Sequence, residues 1–181
     1  SIGAGGATLE AEGTNTWTLL KGRNFGITSA EGGTLTLAGS KDGELTIELG
    51  GSGGLVKSGS GTWTVGGANT YTGETEVNEG TLLVNNTSGS GTGSGAVTVA
   101  DGATLGGTGS VAGTVDLSGI VSPGASVGTL TSGSQTWNDG SGFLFELADA
   151  DDGPGTGWDL LSIEGSLDLN GLTDDGFTVT L

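Results

Sequence analysis

Short alternating runs, each closed by a glycine corner, dictate the folding options of this chain. Thr34-Leu35-Thr36-Leu37, Leu45-Thr46-Ile47-Glu48-Leu49, Trp63-Thr64-Val65, Leu82-Leu83-Val84, Val97-Thr98-Val99 and Val115-Asp116-Leu117 all fit strands with one apolar face. Successive side chains of a strand point to opposite sides, so aliphatics line an interior while Thr, Asp and Glu meet water. Later runs, Leu130-Thr131, Phe143 to Leu147, Leu167-Asp168-Leu169 and Val179-Thr180-Leu181, keep the pattern. Between them stand Gly32-Gly33, Gly50-Gly51, Gly66-Gly67, Asn85-Asn86 and Gly106-Gly107. Gly and Asn tolerate the positive φ of tight corners. With 41 Gly and 2 Pro in 181 residues, the glycine reads as turns rather than disorder, because it falls between alternating runs.

Runs this short fit the coils of a β-solenoid, and also a β-sandwich. Two features favour the solenoid. Gly33-Thr34-Leu35-Thr36-Leu37-Ala38-Gly39 resembles Gly61-Thr62-Trp63-Thr64-Val65-Gly66-Gly67 further along, as stacked units would. Many corners are Gly-Thr or Gly-Ala running directly into an aliphatic pair. At roughly 20–45 residues per unit the chain would make about four to nine coils. At about 4.8 Å per stacked strand that is a rod of roughly 20–45 Å. The core is expected to run through Leu35, Leu37, Leu45, Ile47, Trp63, Val65, Val77, Leu82, Val84, Val97, Val99, Val115, Leu117 and Leu130.

Residues 53–86 resemble the passenger repeat of autotransporters and related bacterial surface proteins. The resemblance rests on Leu55, Lys57, Gly59, Gly61 and Thr62, then Gly67, Asn69, Thr70, Tyr71, Thr72 and Gly73, then Val77, Gly80, Thr81 and Leu82. Residues 94–131 are similar to the stretch that commonly follows this repeat, and the acidic segment 139–181 resembles it loosely. The resemblance implies an all-β fold, a right-handed parallel β-helix, located extracellularly or on the bacterial outer surface. It implies no reaction. The expected organisation is one solenoid domain over 1–181, with an irregular or antiparallel C-terminal cap.

Net charge is −17, from 21 acids against four bases, Lys21, Arg23, Lys41 and Lys57. Such a surface repels nucleic-acid phosphates and anionic lipid headgroups, so neither is an expected partner. No apolar run reaches the roughly 20 residues of a membrane helix, so no direct insertion of this segment is expected. The start at Ser1, without a leader, reads as a mature or excised segment whose anchor lies elsewhere. Without Cys or His, disulfides, thiolate and imidazole metal sites and the usual activation of a serine are excluded. Acids are too plentiful to single out a glycosidase pair. The chain is therefore expected not to be an enzyme; a polysaccharide-active β-helix is the catalytic alternative.

One segment has the composition of a ligand site. Asp149, Asp151, Asp152 and Asp159, around Gly153-Pro154-Gly155, are the candidate calcium ligands, since calcium takes six to eight oxygens. No other cofactor is expected. Tyr71 with Trp63 invites a sugar-binding platform; alternation with Val65 turns Trp63 inward and leaves Tyr71 open between core and surface. Thr16-Trp17-Thr18, Thr34-Leu35-Thr36, Thr62-Trp63-Thr64 and Thr70-Tyr71-Thr72 would make a hydroxyl array suited to ice or mineral if they stacked on one face. Surface glycans and end-to-end self-association into filaments complete the expected partners of a structural or adhesive surface protein.

Overall fold

A computed structural model describes residues 5–12, 17–19, 27–29, 32–173 and 176–180. Two eight-stranded sheets run the length of the molecule. The first stacks Ala7–Ala11, Leu35–Gly39, Leu55–Lys57, Thr75–Val77, Val97–Val99, Val115–Leu117, Gln135–Asn138 and Leu167–Gly171. The second stacks Trp17–Leu19, Gly43–Leu45, Thr62–Val65, Thr81–Val84, Thr104–Gly107, Ile120–Pro123, Ser141–Leu144 and Phe177–Thr180. A third face is partial: Ile27–Ser29 pairs with Leu49–Gly51, and Ser110–Val111, Thr129–Ser132 and Leu160–Ile163 form a three-stranded sheet. Every strand pairing in these sheets is parallel. The chain is a parallel β-helix whose eight-stranded sheets span about 34 Å at about 4.8 Å per strand.

The register fixes the coil length. Leu35 pairs with Leu55 and Leu55 with Thr75, an advance of 20 residues, while Ala7 to Leu35 advances 28, Thr75 to Val97 22 and Val97 to Val115 18. The resemblance between residues 33–39 and 61–67 is not one of stacked units, because the two lie in different sheets. Leu35–Gly39 lies in the first sheet and Thr62–Val65 in the second; Trp63 stacks on Gly43 instead. Both segments leave a glycine corner and enter a strand, and that common local task makes them look alike.

Alternation places the core. In Leu35-Thr36-Leu37 and Val97-Thr98-Val99 the flanking aliphatics are buried and the central Thr is not. All fourteen expected core residues are buried. They join Leu49, Leu55, Leu105, Val111, Val121 and Trp137 in one cluster. The inward columns also hold polar residues where a coil turns. Thr75 and Gln135 occupy positions that Leu55 and Val115 fill in neighbouring coils. Gln135 is matched on both ends: its Nε2 donates to Ser132 Oγ at 2.7 Å, and its Oε1 accepts the Trp137 indole N–H at 2.5 Å.

The C-terminal strands are not an antiparallel cap. Leu160–Ile163, Leu167–Gly171 and Phe177–Thr180 continue the three faces in parallel, with one register shift between Thr136 and Asn138. The irregular part lies earlier. Gln135 pairs with Leu167, an advance of 32 residues, because residues 145–159 leave the solenoid as a loop.

A side chain at Gly43 would place its Cβ 2.6 Å from the Trp63 ring, so Trp63 fills the space that this glycine leaves. Trp63→Ala is expected to cost about 3–5 kcal/mol. Gly43→Ala should be destabilising alone yet well tolerated once Trp63 is Ala, a coupling of about 1–3 kcal/mol in a double-mutant cycle of chemical denaturation. Strict additivity would contradict this packing.

Candidate functional site

The candidate calcium ligands fall in the 145–159 loop, and the structure does not gather them. Asp159 is buried, and both its oxygens are engaged: Oδ1 accepts the Gly128 N–H at 2.9 Å and Oδ2 the Glu146 N–H at 2.8 Å. Asp149, Asp151 and Asp152 are exposed, and Asp149 Oδ1 accepts the Asp151 N–H at 2.9 Å. The turns at Gly153 and Gly157 point Asp159 back at the solenoid and leave the other three facing water. Among the described residues no three His, Cys, Asp or Glu side chains form a group able to hold a metal. This donor set does not fit calcium, whose shell needs several convergent oxygens. Asp159 instead pins both ends of the loop, a role that composition alone does not signal.

No sugar platform is formed by the two aromatics. Trp63 is 2% and Tyr71 3% exposed. The Trp63 indole N–H donates to Ala38 O at 2.9 Å, and the Tyr71 hydroxyl lies 2.6 Å from Thr75 Oγ1. Burial pushes the Tyr71 phenol above its ordinary range, against a smaller opposite effect of the Thr75 hydrogen bond. Nor do the Thr-x-Thr segments stack. Thr36 belongs to the first sheet, and the second-sheet column carrying Thr64 pairs it with Glu44 on one side and Leu83 on the other. Thr16 and the side chains of Trp17 and Thr18 lie outside the described residues, as do Lys21 and Arg23.

The polar group that the sequence does not advertise is Lys57. It takes an inward strand position, pairs with Leu37 and Val77, and is fully buried. Its Nζ donates to the carbonyls of Ser58 at 3.2 Å, Gly59 at 2.6 Å and Glu79 at 2.9 Å, which uses all three ammonium protons. Desolvation lowers its pKa, and the charge of Glu79 partly opposes this. A perturbed lysine in a cleft would be a catalytic candidate. Here carbonyls enclose it and no substrate can reach it, so it ties one corner to the next. Gly80 completes the corner: its φ is +68°, and a Cβ there would meet Gly59 O, Gly61 O and Lys57 Nζ. Asn69 performs a similar task across three coils. Its Oδ1 accepts the Leu49 N–H at 2.8 Å and its Nδ2 donates to Gly91 O at 2.5 Å.

Residues 55–84 match the model of the passenger-associated-transport-repeat. The chain carries an autotransporter passenger repeat. It is also 39% identical over 90 residues to the adhesin BmaC autotransporter of Brucella suis biovar 1 (strain 1330), covering 45% of this chain. The chain spans only 3% of the length of that relative. No solved structure matches. The passenger repeat begins on the first sheet at Leu55–Lys57 and ends on the second at Thr81–Val84, so it passes the same corner in two successive coils. Lys57, Gly59, Gly61 and Gly80 meet at that corner, and the signature residues of the passenger repeat are thus the contacts between one coil and the next.

The single tyrosine of the chain offers a pH test. Its folded pKa is raised above the ordinary value near 10, so its contribution to stability is intact below pH 10 and is lost as pH climbs beyond it. Lys57, lowered in the folded state, acts in the opposite sense as pH approaches its ordinary value. Comparing wild type with Tyr71→Phe at each pH cancels the lysine. The wild type should lose stability more steeply above pH 10, with phenolate absorbance appearing only on unfolding. A phenolate titrating near pH 10 in folded protein would contradict the buried hydroxyl.

Proposed function

We propose that this chain is a non-catalytic part of an extracellular or cell-surface passenger, a rigid β-helix with a structural and adhesive role. The observation that carries this is the repeat itself, whose signature residues are spent on stacking. Lys57, Asn69 and Gly80 hold coil to coil, the Tyr71 hydroxyl is bound to Thr75 within its own coil, and none presents a reactive group to solvent. The similarity to a named adhesin autotransporter supports the adhesive reading. The acidic, regularly hydrogen-bonded surface suits a protein that must stay soluble and resist proteases outside the cell.

A narrower form is end-to-end association into filaments. It is favoured by Leu167, Leu169, Phe177 and Val179, which are exposed on the last described strands, and opposed by the negative charge of that region.

Display of the chain on the surface of a non-adherent bacterium tests the main proposal. Cells carrying it should resist removal of the chain by external protease and should attach to host cells or surface glycans severalfold more than cells displaying an acidic control of equal length. Attachment equal to the control, or release of new reducing ends or unsaturated products from a glycan panel, would refute it.

A further inference from the structure

Among the described residues from Leu35 to Thr173 the 145–159 loop is the longest departure from the solenoid, and it exposes Leu147 and Pro154. Leu147 pairs in an antiparallel bridge with Trp158, and Trp158 in a parallel bridge with Pro154. Residues paired across a ladder present their side chains on one face. Leu147 is 57% exposed, Pro154 is exposed and Trp158 is half-buried. Among the described residues the Trp158 indole has no ring partner and its N–H no acceptor. The other aromatics nearby, Trp137, Phe143, Phe145 and Phe177, pack on one another. The patch is nevertheless held firmly. Ala148 and Asp149 N–H both donate to Gly157 O, at 2.8 and 2.9 Å, Gly155 N–H donates to Trp158 O at 2.6 Å, and buried Asp159 anchors the loop to Gly128. A half-buried aromatic beside an exposed aliphatic on a preformed loop suits an interface anchor, since little ordering entropy remains to be lost.

Charge selects the occupant. Glu146, Asp149, Asp151 and Asp152 are exposed on the same loop, and no Lys or Arg occurs after Lys57. An acidic partner, or a second copy of this chain at −17, would be repelled. We infer that Leu147, Pro154 and Trp158, with the exposed acids Glu146, Asp149, Asp151 and Asp152 of the same loop, form a docking surface for a basic polypeptide segment that alternates cationic and apolar side chains. Apolar residues would cover Leu147 and Trp158 while Arg or Lys reach the carboxylates. This rests on the adhesive reading and assigns it a place and a partner chemistry.

The probe is a short synthetic peptide alternating arginine and leucine, titrated against the whole chain at low and physiological salt. Saturable binding is expected, weaker at higher salt. It should fall at least tenfold in Leu147→Ser with Trp158→Ser, and separately in Asp149→Asn with Asp151→Asn and Asp152→Asn. Thermal unfolding should not move, because these side chains lie outside the solenoid core. Neutralising as many acids elsewhere, by Glu10→Gln, Glu44→Gln and Asp101→Asn, should leave binding within twofold. Loop variants that bind like wild type, no binding at all, or equal binding of a peptide alternating arginine and serine would overturn the inference. So would a neutral glycan whose binding these loop substitutions abolish. Attachment of displayed cells is read in parallel. If loop variants attach normally, the inference falls and the adhesive reading stands. If the peptide binds as expected but cells do not attach, the docking surface stands and the adhesive reading falls.

Discussion

The structure depends on the corner where one coil lies on the next. A parallel ladder supplies hydrogen bonds along the strands, but at a corner the chain turns and carbonyls are left pointing together. At Ser58, Gly59 and Glu79 those carbonyls converge on one ammonium, Lys57. A neutral side chain could not serve three acceptors, and a buried charge would be untenable without them. Glycine at position 80 lets the two backbones approach closely enough for the bond to form. Among the described residues the contact is made once, between the coils of the repeat, with Asn69 supporting the next corner; above and below it Leu37, Val77, Val99 and Leu117 continue the inward column, and the parallel ladders carry the register.

Much of this was legible in the sequence. Alternation in runs such as Leu35-Thr36-Leu37 fixed which residues point inward, and all fourteen expected core positions are buried. Coil length was not legible from local similarity, because residues 33–39 and 61–67 look alike while lying in different sheets. Lys57 was visible only as a repeat position, since a lysine among glycines normally signals a solvated turn. Its inward place in Leu55-Val56-Lys57 was the available clue.

The candidate site was the least legible part. Four aspartates close in sequence suggested a metal shell, yet whether carboxylates converge depends on the turns between them. Here the turns send Asp159 inward to two amides and the rest outward. Tyr71 was ambiguous for a related reason: a corner residue has no alternation to assign its face, and the hydroxyl found a buried partner in Thr75. Division of labour results. The solenoid uses its signature residues to hold itself together, and residues 145–159 break the period and expose Leu147, Asp149, Asp151 and Asp152.

The central claim is that the repeat signature encodes coil-to-coil stacking. Hydrogen exchange with chemical denaturation of Lys57→Met tests it most directly. Leaving three carbonyls without their donor should cost about 3 kcal/mol or more. Exchange protection should fall first in residues 58–61 and 79–81, with attachment of the displayed, still-folded chain unchanged. A variant as stable as wild type, or one that keeps its stability and protection but loses attachment, would contradict the account.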